Sequence, residues 1–270
     1  MANHPKPAEP ASEVSGPQER HGVLRYRVRS ACQASETLVR IVLPKKLPPP
    51  GKRRVLFVLP VEPGTATKYG DGLATVRKLR VADRYGFVVV APAFADWPWY
   101  CDHPTDAARR QETYMVKAVV PLVAKLYPHE PRRRALLGFS KSGWGAFSLL
   151  LRHPDVFGVA CAWDAPLMAT RPRFGMTRIV GTQENFERYR VARLLEQCAE
   201  SVRGATRLAH FGYGNFRDHH QQAHALMRRL GIPHLYADGP HRKHHWDGGW
   251  VEQAVTWLDE MLRDPQLLRD

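Results

Sequence analysis

From Arg54 onward, short and nearly continuous apolar runs take turns with stretches in which apolar residues recur every three or four positions. The runs "RVLFVLPV" (Arg54 to Val61), "GFVVVAPA" (Gly86 to Ala93) and "RALLGF" (Arg134 to Phe139) have no polar alternation. They read as strands buried on both faces, as in a parallel sheet covered by helices. Between them the helical period predicts helices over Leu73 to Tyr85 and Ala107 to Leu126, the second carried by Val116, Val119, Val120, Val123 and Leu126. A further helix is expected to start just after Gly143 and to end at His153, before Pro154. Strands "VFGVACAW" (Val156 to Trp163), "TRLAHFGY" (Thr206 to Tyr213) and "PHLYAD" (Pro233 to Asp238) then alternate with helices Gln221 to Leu230 and Val251 to Leu262. Such alternation predicts a mostly parallel, doubly wound α/β sheet with helices on both faces.

Upstream the texture differs. "VLRYRVRS" and "ETLVRIVLP" alternate apolar and polar positions, the period of antiparallel strands, and "KKLPPPGKRR" follows as punctuation. The first 20 residues, rich in Pro, Glu and Ser, read as a disordered tail, with a single domain over 21–270. Residues 168–204 form a longer connection than a simple crossover needs and are expected to be a small cap insertion.

Composition narrows the function classes. A chain of 270 residues with 44% hydrophobic and 24% charged positions is ordinary for a globular domain. No stretch approaches the roughly 18 apolar residues of a membrane span, and "MANHPKPAEPASEVSGPQER" lacks an apolar signal core, so a soluble, cytoplasmic protein is expected. The net charge of +14 is spread over clusters at Lys45 to Arg54, Arg132 to Arg134 and His241 to Lys243 that share no helical face. It reads as a solvated basic surface, without a nucleic-acid partner. Cys32, Cys101, Cys161 and Cys198 make no C-x-x-C pair, which favours reduced thiols over a disulfide framework or a zinc knot.

The chemistry concentrates in "LLGFSKSGWGAF" (Leu136 to Phe147). A serine attacks only when a tight turn exposes its oxygen to a base and aims backbone N–H groups at the developing oxyanion. "GFSKSG" supplies Gly138, Ser140 and Gly143 between an apolar strand and a helix, close to the G-x-S-x-G elbow. The second template glycine is replaced by Ser142, another small residue. Framed on Ser142 instead, Trp144 would occupy a position that needs a minimal side chain, so Ser140 is the expected nucleophile.

The stretch "GFSKSGWGAFSLLLRHPDVFGVACAWDAPL" resembles the α/β-hydrolase superfamily, in particular its esterase D-like and feruloyl-esterase-like branch. The resemblance runs from about Arg54 to Leu262. It implies an α/β-hydrolase fold and a serine esterase acting on a small or medium carboxylic ester through an acyl-enzyme. In this fold the acid and the base follow the nucleophile in the order Ser, acid, His. Asp218, just past "RLAHFGY", is the expected acid, and Asp164 in "AWDAPL" is the runner-up or a pocket carboxylate. In "HRKHHWDGGW", His244 with Trp246 and Trp250 fits the family's closing H-x-W pattern, so His244 is the expected base and His245 its alternative. The oxyanion hole falls to the Lys141 amide and to Val61 or Glu62, although the usual His-Gly there is Pro-Val.

"FADWPWYCDHP" places Trp97, Trp99, Tyr100, Asp102 and His103 near a strand end, as candidates to floor the substrate pocket. His219, His220 and His224 lack the Glu of H-E-x-x-H and are read as solvent-facing, with no metal expected. "GYGNFR" is not a dinucleotide fingerprint, so no cofactor is implied. The same triad serves acyltransferases and peptidases. A non-catalytic relative binding an anionic ligand through the basic surface is the non-enzyme alternative.

Overall fold

The computed structural model describes residues 12–268. A nine-stranded sheet runs in the order β1-β2-β3-β5-β4-β6-β7-β8-β9. Its first part is antiparallel: β1 (Ser12–Arg20), β2 (Val23–Ser30) and β3 (Thr37–Val42), with β3 joined antiparallel to β5 (Phe87–Pro92). The remainder is parallel: β5, β4 (Arg54–Val58), β6 (Arg134–Phe139), β7 (Val159–Trp163), β8 (Leu208–Phe211) and β9 (His234–Ala237). The mostly parallel sheet that was expected is therefore present. Residues 12–20, expected to end a disordered tail, instead form the edge strand β1, because β2 offers them an antiparallel ladder, interrupted between Ser15 and Gln18. The rest of that tail, 1–11, lies outside the described residues.

The apolar runs are buried on both faces for the reason expected. Along β4, Val55 and Phe57 join one core with Tyr114, Val123 and Phe147, whereas Leu56 and Val58 join the other with Leu73, Val76 and Leu258. The second face is covered by α1 (Gly72–Lys78), α2 (Val81–Tyr85) and α11 (Val251–Leu262). On α11, Val251, Ala254, Val255, Leu258 and Leu262 recur at helical spacing and are buried. The expected single helix Leu73 to Tyr85 is divided, because Arg80 takes a left-handed backbone (φ 54°) between α1 and α2.

The first face is covered by α3 (Gln111–Tyr114), α4 (Val120–Leu126), α5 (Ser140–Arg152) and α10 (Arg217–Arg229) among others. A π-helical turn, Met115–Val119, joins α3 to α4. Pro121 follows it; proline brings no N–H and sets its ring against the carbonyl four residues back, which a widened turn relieves. Residues 168–204 carry α6 (Thr177–Val180), α7 (Gln183–Glu187), α8 (Val191–Gln197) and α9 (Ala199–Val202) between β7 and β8. Among the described residues no helix is long and apolar enough to cross a membrane.

Candidate active site

The elbow forms where β6 gives way to α5. Phe139 is still extended (φ −137°), and Ser140 turns into the left-handed region at φ 51°, with its N–H donated to the Asp164 carbonyl at 3.2 Å. The turn is so tight that a Cβ on Gly138 would sit 2.3 Å from the Ser142 carbonyl oxygen, which explains the glycine two residues before the serine. Ser142, standing where the template has its second glycine, is fully buried and its hydroxyl serves Phe139 twice. It accepts the Phe139 N–H at 3.1 Å and donates to the Phe139 carbonyl at 2.9 Å. The departure from the template thus braces the turn. Trp144 packs inward, edge-on to Trp99 and stacked with Phe186.

One strand over, β7 ends on a second non-glycine residue with positive φ. Asp164 (φ 38°) is fully buried, and its Oδ2 meets His244 Nδ1 at 2.6 Å. The Asn215 and Phe216 amides donate to the same carboxylate at 3.0 and 2.6 Å. A Cβ on Gly214 would fall 2.3 Å from Oδ2, so only glycine lets the loop after β8 close over the acid. Burial alone would raise this carboxyl; the His244 bond and the two amides outweigh it and hold it below its ordinary value.

The carboxylate that meets His244 is thus Asp164 rather than Asp218. Asp218 is exposed in the first turn of α10, which starts four residues earlier than its apolar period suggested. The loop after β8, where the acid was expected, supplies backbone amides instead, and the carboxylate that meets His244 follows the preceding strand. His244, with Nδ1 bonded to a carboxylate, presents Nε2 as the remaining ring nitrogen. Its ring lies edge-on to Phe139 and Tyr69. His245 turns away to pair with Asp247, its ring packed over Gly70.

Ser140 and His244 both line a cleft of about 770 Å³, together with Val61, Trp97, Trp99 and Lys141. The first-turn amides of a helix have no intrahelical acceptor, so the Lys141 N–H is available at the mouth of α5. Glu62 is turned elsewhere: its buried carboxylate accepts the Tyr69 N–H at 3.1 Å, leaving Val61 as the cleft-lining member of the pair. Three of the aromatic-loop candidates are absent from the lining of this cleft and engage other partners. Tyr100 is fully buried, with its hydroxyl on the Pro60 carbonyl at 2.6 Å. Asp102 accepts the Thr113 N–H at 3.0 Å, and His103 Nδ1 accepts that of Asp106 at 2.9 Å.

Sequence reasoning also missed His220. It is fully buried, not solvent-facing, and its Nε2 accepts the Ala165 N–H at 2.8 Å, directly behind Asp164. Its Nδ1 must then carry the proton and donate to His210 Nδ1 at 3.0 Å. Burial pushes its pKa down to about 3, which keeps this link neutral. The only signals for this surround were Gly214 just past a strand and histidines ten residues apart. Among the described residues no group of His, Cys, Asp and Glu is placed to hold a metal ion.

Residues 34–224 match the model of the family described as "Putative esterase". Among solved structures the chain is similar to an S-formylglutathione hydrolase from Agrobacterium tumefaciens, with 16% identity, TM-score 0.70, and 92% of this chain and 99% of that one covered. A ferulic acid esterase aligns with 20% identity and TM-score 0.68 over 88% of this chain and 98% of its own. The fluorophosphonate-binding serine hydrolase F of Staphylococcus aureus aligns with 14% identity and TM-score 0.68 over 93% and 99%. No curated protein matches the chain.

Proposed function

Because the chain belongs to this esterase family, and is a carboxylic ester hydrolase of α/β-hydrolase fold, we propose that it cleaves its ester through a Ser140–His244–Asp164 triad and an acyl-enzyme. The observation that carries the reading is the 2.6 Å bond from His244 Nδ1 to the buried Asp164, on the strand next to the strained Ser140 turn.

In the first half-reaction His244 Nε2 takes the Ser140 proton as Oγ adds to the ester carbonyl. Asp164 fixes the tautomer and stabilises the imidazolium; its charge is secured by the Asn215 and Phe216 amides, so it need not take the proton. The oxyanion is received by the Lys141 N–H and by the Val61 N–H across the cleft. Collapse breaks the ester C–O bond, and His244 returns the proton to the departing alcohol. Water, deprotonated by His244, then releases the acid and restores the Ser140 hydroxyl.

The decisive experiment is intact mass after exposure to a fluorophosphonate, alongside ester hydrolysis, for wild type and Ser140→Ala. One adduct on wild type, none on the variant, and a loss in kcat of at least about a thousandfold are expected. Full esterase activity in Ser140→Ala would sink the mechanism.

A further inference from the structure

The residue after the nucleophile contributes more than an amide. The Lys141 residue is only 8% exposed and lines the cleft, with its Nζ 3.9 Å above the Trp97 ring centroid. Among the described residues its ammonium has no hydrogen-bond acceptor and no ion pair. Burial lowers it to about 8; nearby Glu62 opposes that shift and Lys68 adds to it. Glu62 does not close on it, because its carboxylate is committed to the Tyr69 amide. An ammonium carries three donors, and in this cleft none of them is met by a protein acceptor among the described residues, which leaves them to water or to a ligand.

The surroundings carry the same sign. Lys68 lines the cleft beside Lys141, over the Tyr69 ring. A second cavity of about 250 Å³, sharing Trp99, Pro166, Phe174 and Phe216 with the cleft, is lined by Arg171 and Arg173. No Asp or Glu is among the described residues lining either cavity. The Asp164 carboxylate lies behind the cleft, where its oxygens are occupied by His244 and two amides. Two lysines thus face the cleft that an ester must enter and two arginines face the adjoining cavity, with no carboxylate among the described residues lining either.

We propose that the cleft selects esters bearing a negative charge, a carboxylate on the acyl or the alcohol side, and that the Lys141 ammonium is the group that receives it. The proposal rests on the ester-hydrolysis reading of this same site. Trp97, Trp99, Phe174 and Phe216 would hold the apolar remainder of the ester, while the anion exchanges water for Lys141 and its exposed neighbour Lys68.

Two matched substrate pairs test it, each differing by one charge. The acyl-side pair is mono-para-nitrophenyl adipate against para-nitrophenyl hexanoate. The alcohol-side pair is para-(hexanoyloxy)benzoate against para-(hexanoyloxy)benzamide. In wild type at low salt, kcat/KM for the charged member of at least one pair should exceed that of the neutral member by about tenfold, the scale of one charge-assisted hydrogen bond. Lys141→Met, close in shape but uncharged, should cut that ratio by about tenfold. Reading the ratio removes any general effect of the change on the elbow. The pair that responds identifies the side of the ester that carries the charge.

Charged esters no better than neutral ones in both pairs, or a ratio indifferent to Lys141→Met, would overturn the assignment. In that case wild type still hydrolyses the neutral esters and Ser140→Ala does not. Failure of the underlying mechanism looks different, with Ser140→Ala as active as wild type on every ester.

Discussion

Two neighbouring strands end in the same way and are read from the sequence with very different ease. After β6, Ser140 adopts φ 51°, and after β7, Asp164 adopts φ 38°. Both are side chains forced into the left-handed region, as happens where a site needs one group held in a single direction. Most of the parts that hold Ser140 are local, lying between Gly138 and Ser142, and one hydrogen bond crosses to the Asp164 carbonyl. The parts that hold Asp164 come from 51, 52 and 80 residues downstream, at Asn215, Phe216 and His244. Locality, not importance, decides what a single sequence discloses.

The sharpest way to break the comparison is to neutralise each candidate acid. Asp164→Asn should lower kcat by about a thousandfold to ten-thousandfold, since the amide cannot hold the productive His244 tautomer. Asp218→Asn, on the exposed first turn of α10, should stay within about twofold. Equal losses in steady-state kinetics would return Asp218 to the site.

The downstream half of the Asp164 cradle is tested by Gly214→Ala. The added methyl would lie 2.3 Å from Oδ2, so the loop must retreat and take the Asn215 and Phe216 amides with it. A loss in kcat of about tenfold to a hundredfold is expected. The sign with pH is also fixed. A carboxyl held below its ordinary 3.8 stabilises the fold above that pH and ceases to do so as pH falls through its native value. The variant loses part of that lowering, so its Tm deficit should be widest near neutrality and narrow under acid.

The local half offers the smallest effect. Ser142→Ala removes both bonds to Phe139 and leaves its buried N–H without that acceptor, for a loss of about 1–2 kcal/mol in urea unfolding. A variant as stable as wild type would mean that the hydroxyl does not brace the elbow.

The same contrast explains which parts of the fold were legible. Strand β6 and helix α11 appear with their expected bounds, because continuous apolar runs and a clean helical period are local signals. The break at Arg80 and the early start of α10 at Arg217 were hidden, since neither carries a glycine, a proline or a change of apolar period to mark it. Likewise Ser140 and His244 could be named from motifs. Tyr100 and Asp102 could not be told from pocket residues, because their partners Pro60 and Thr113 lie in other segments.

The ladder between β6 and β7 pairs Phe139 with Trp163, so Ser140 and Asp164 are the next residue on each strand. Side chains on a strand alternate between faces, and a one-residue deletion inside Val159–Trp163 would therefore turn the acid position toward the opposite helical layer. Residues 168–204 lie outside that ladder and can change in length without altering the pairing. In evolutionary terms the molecule is rigid about where it reacts and free about what it admits. Descendants with new substrates should differ by insertions and deletions around Phe174 and the Arg171–Arg173 stretch, with none in the two strands.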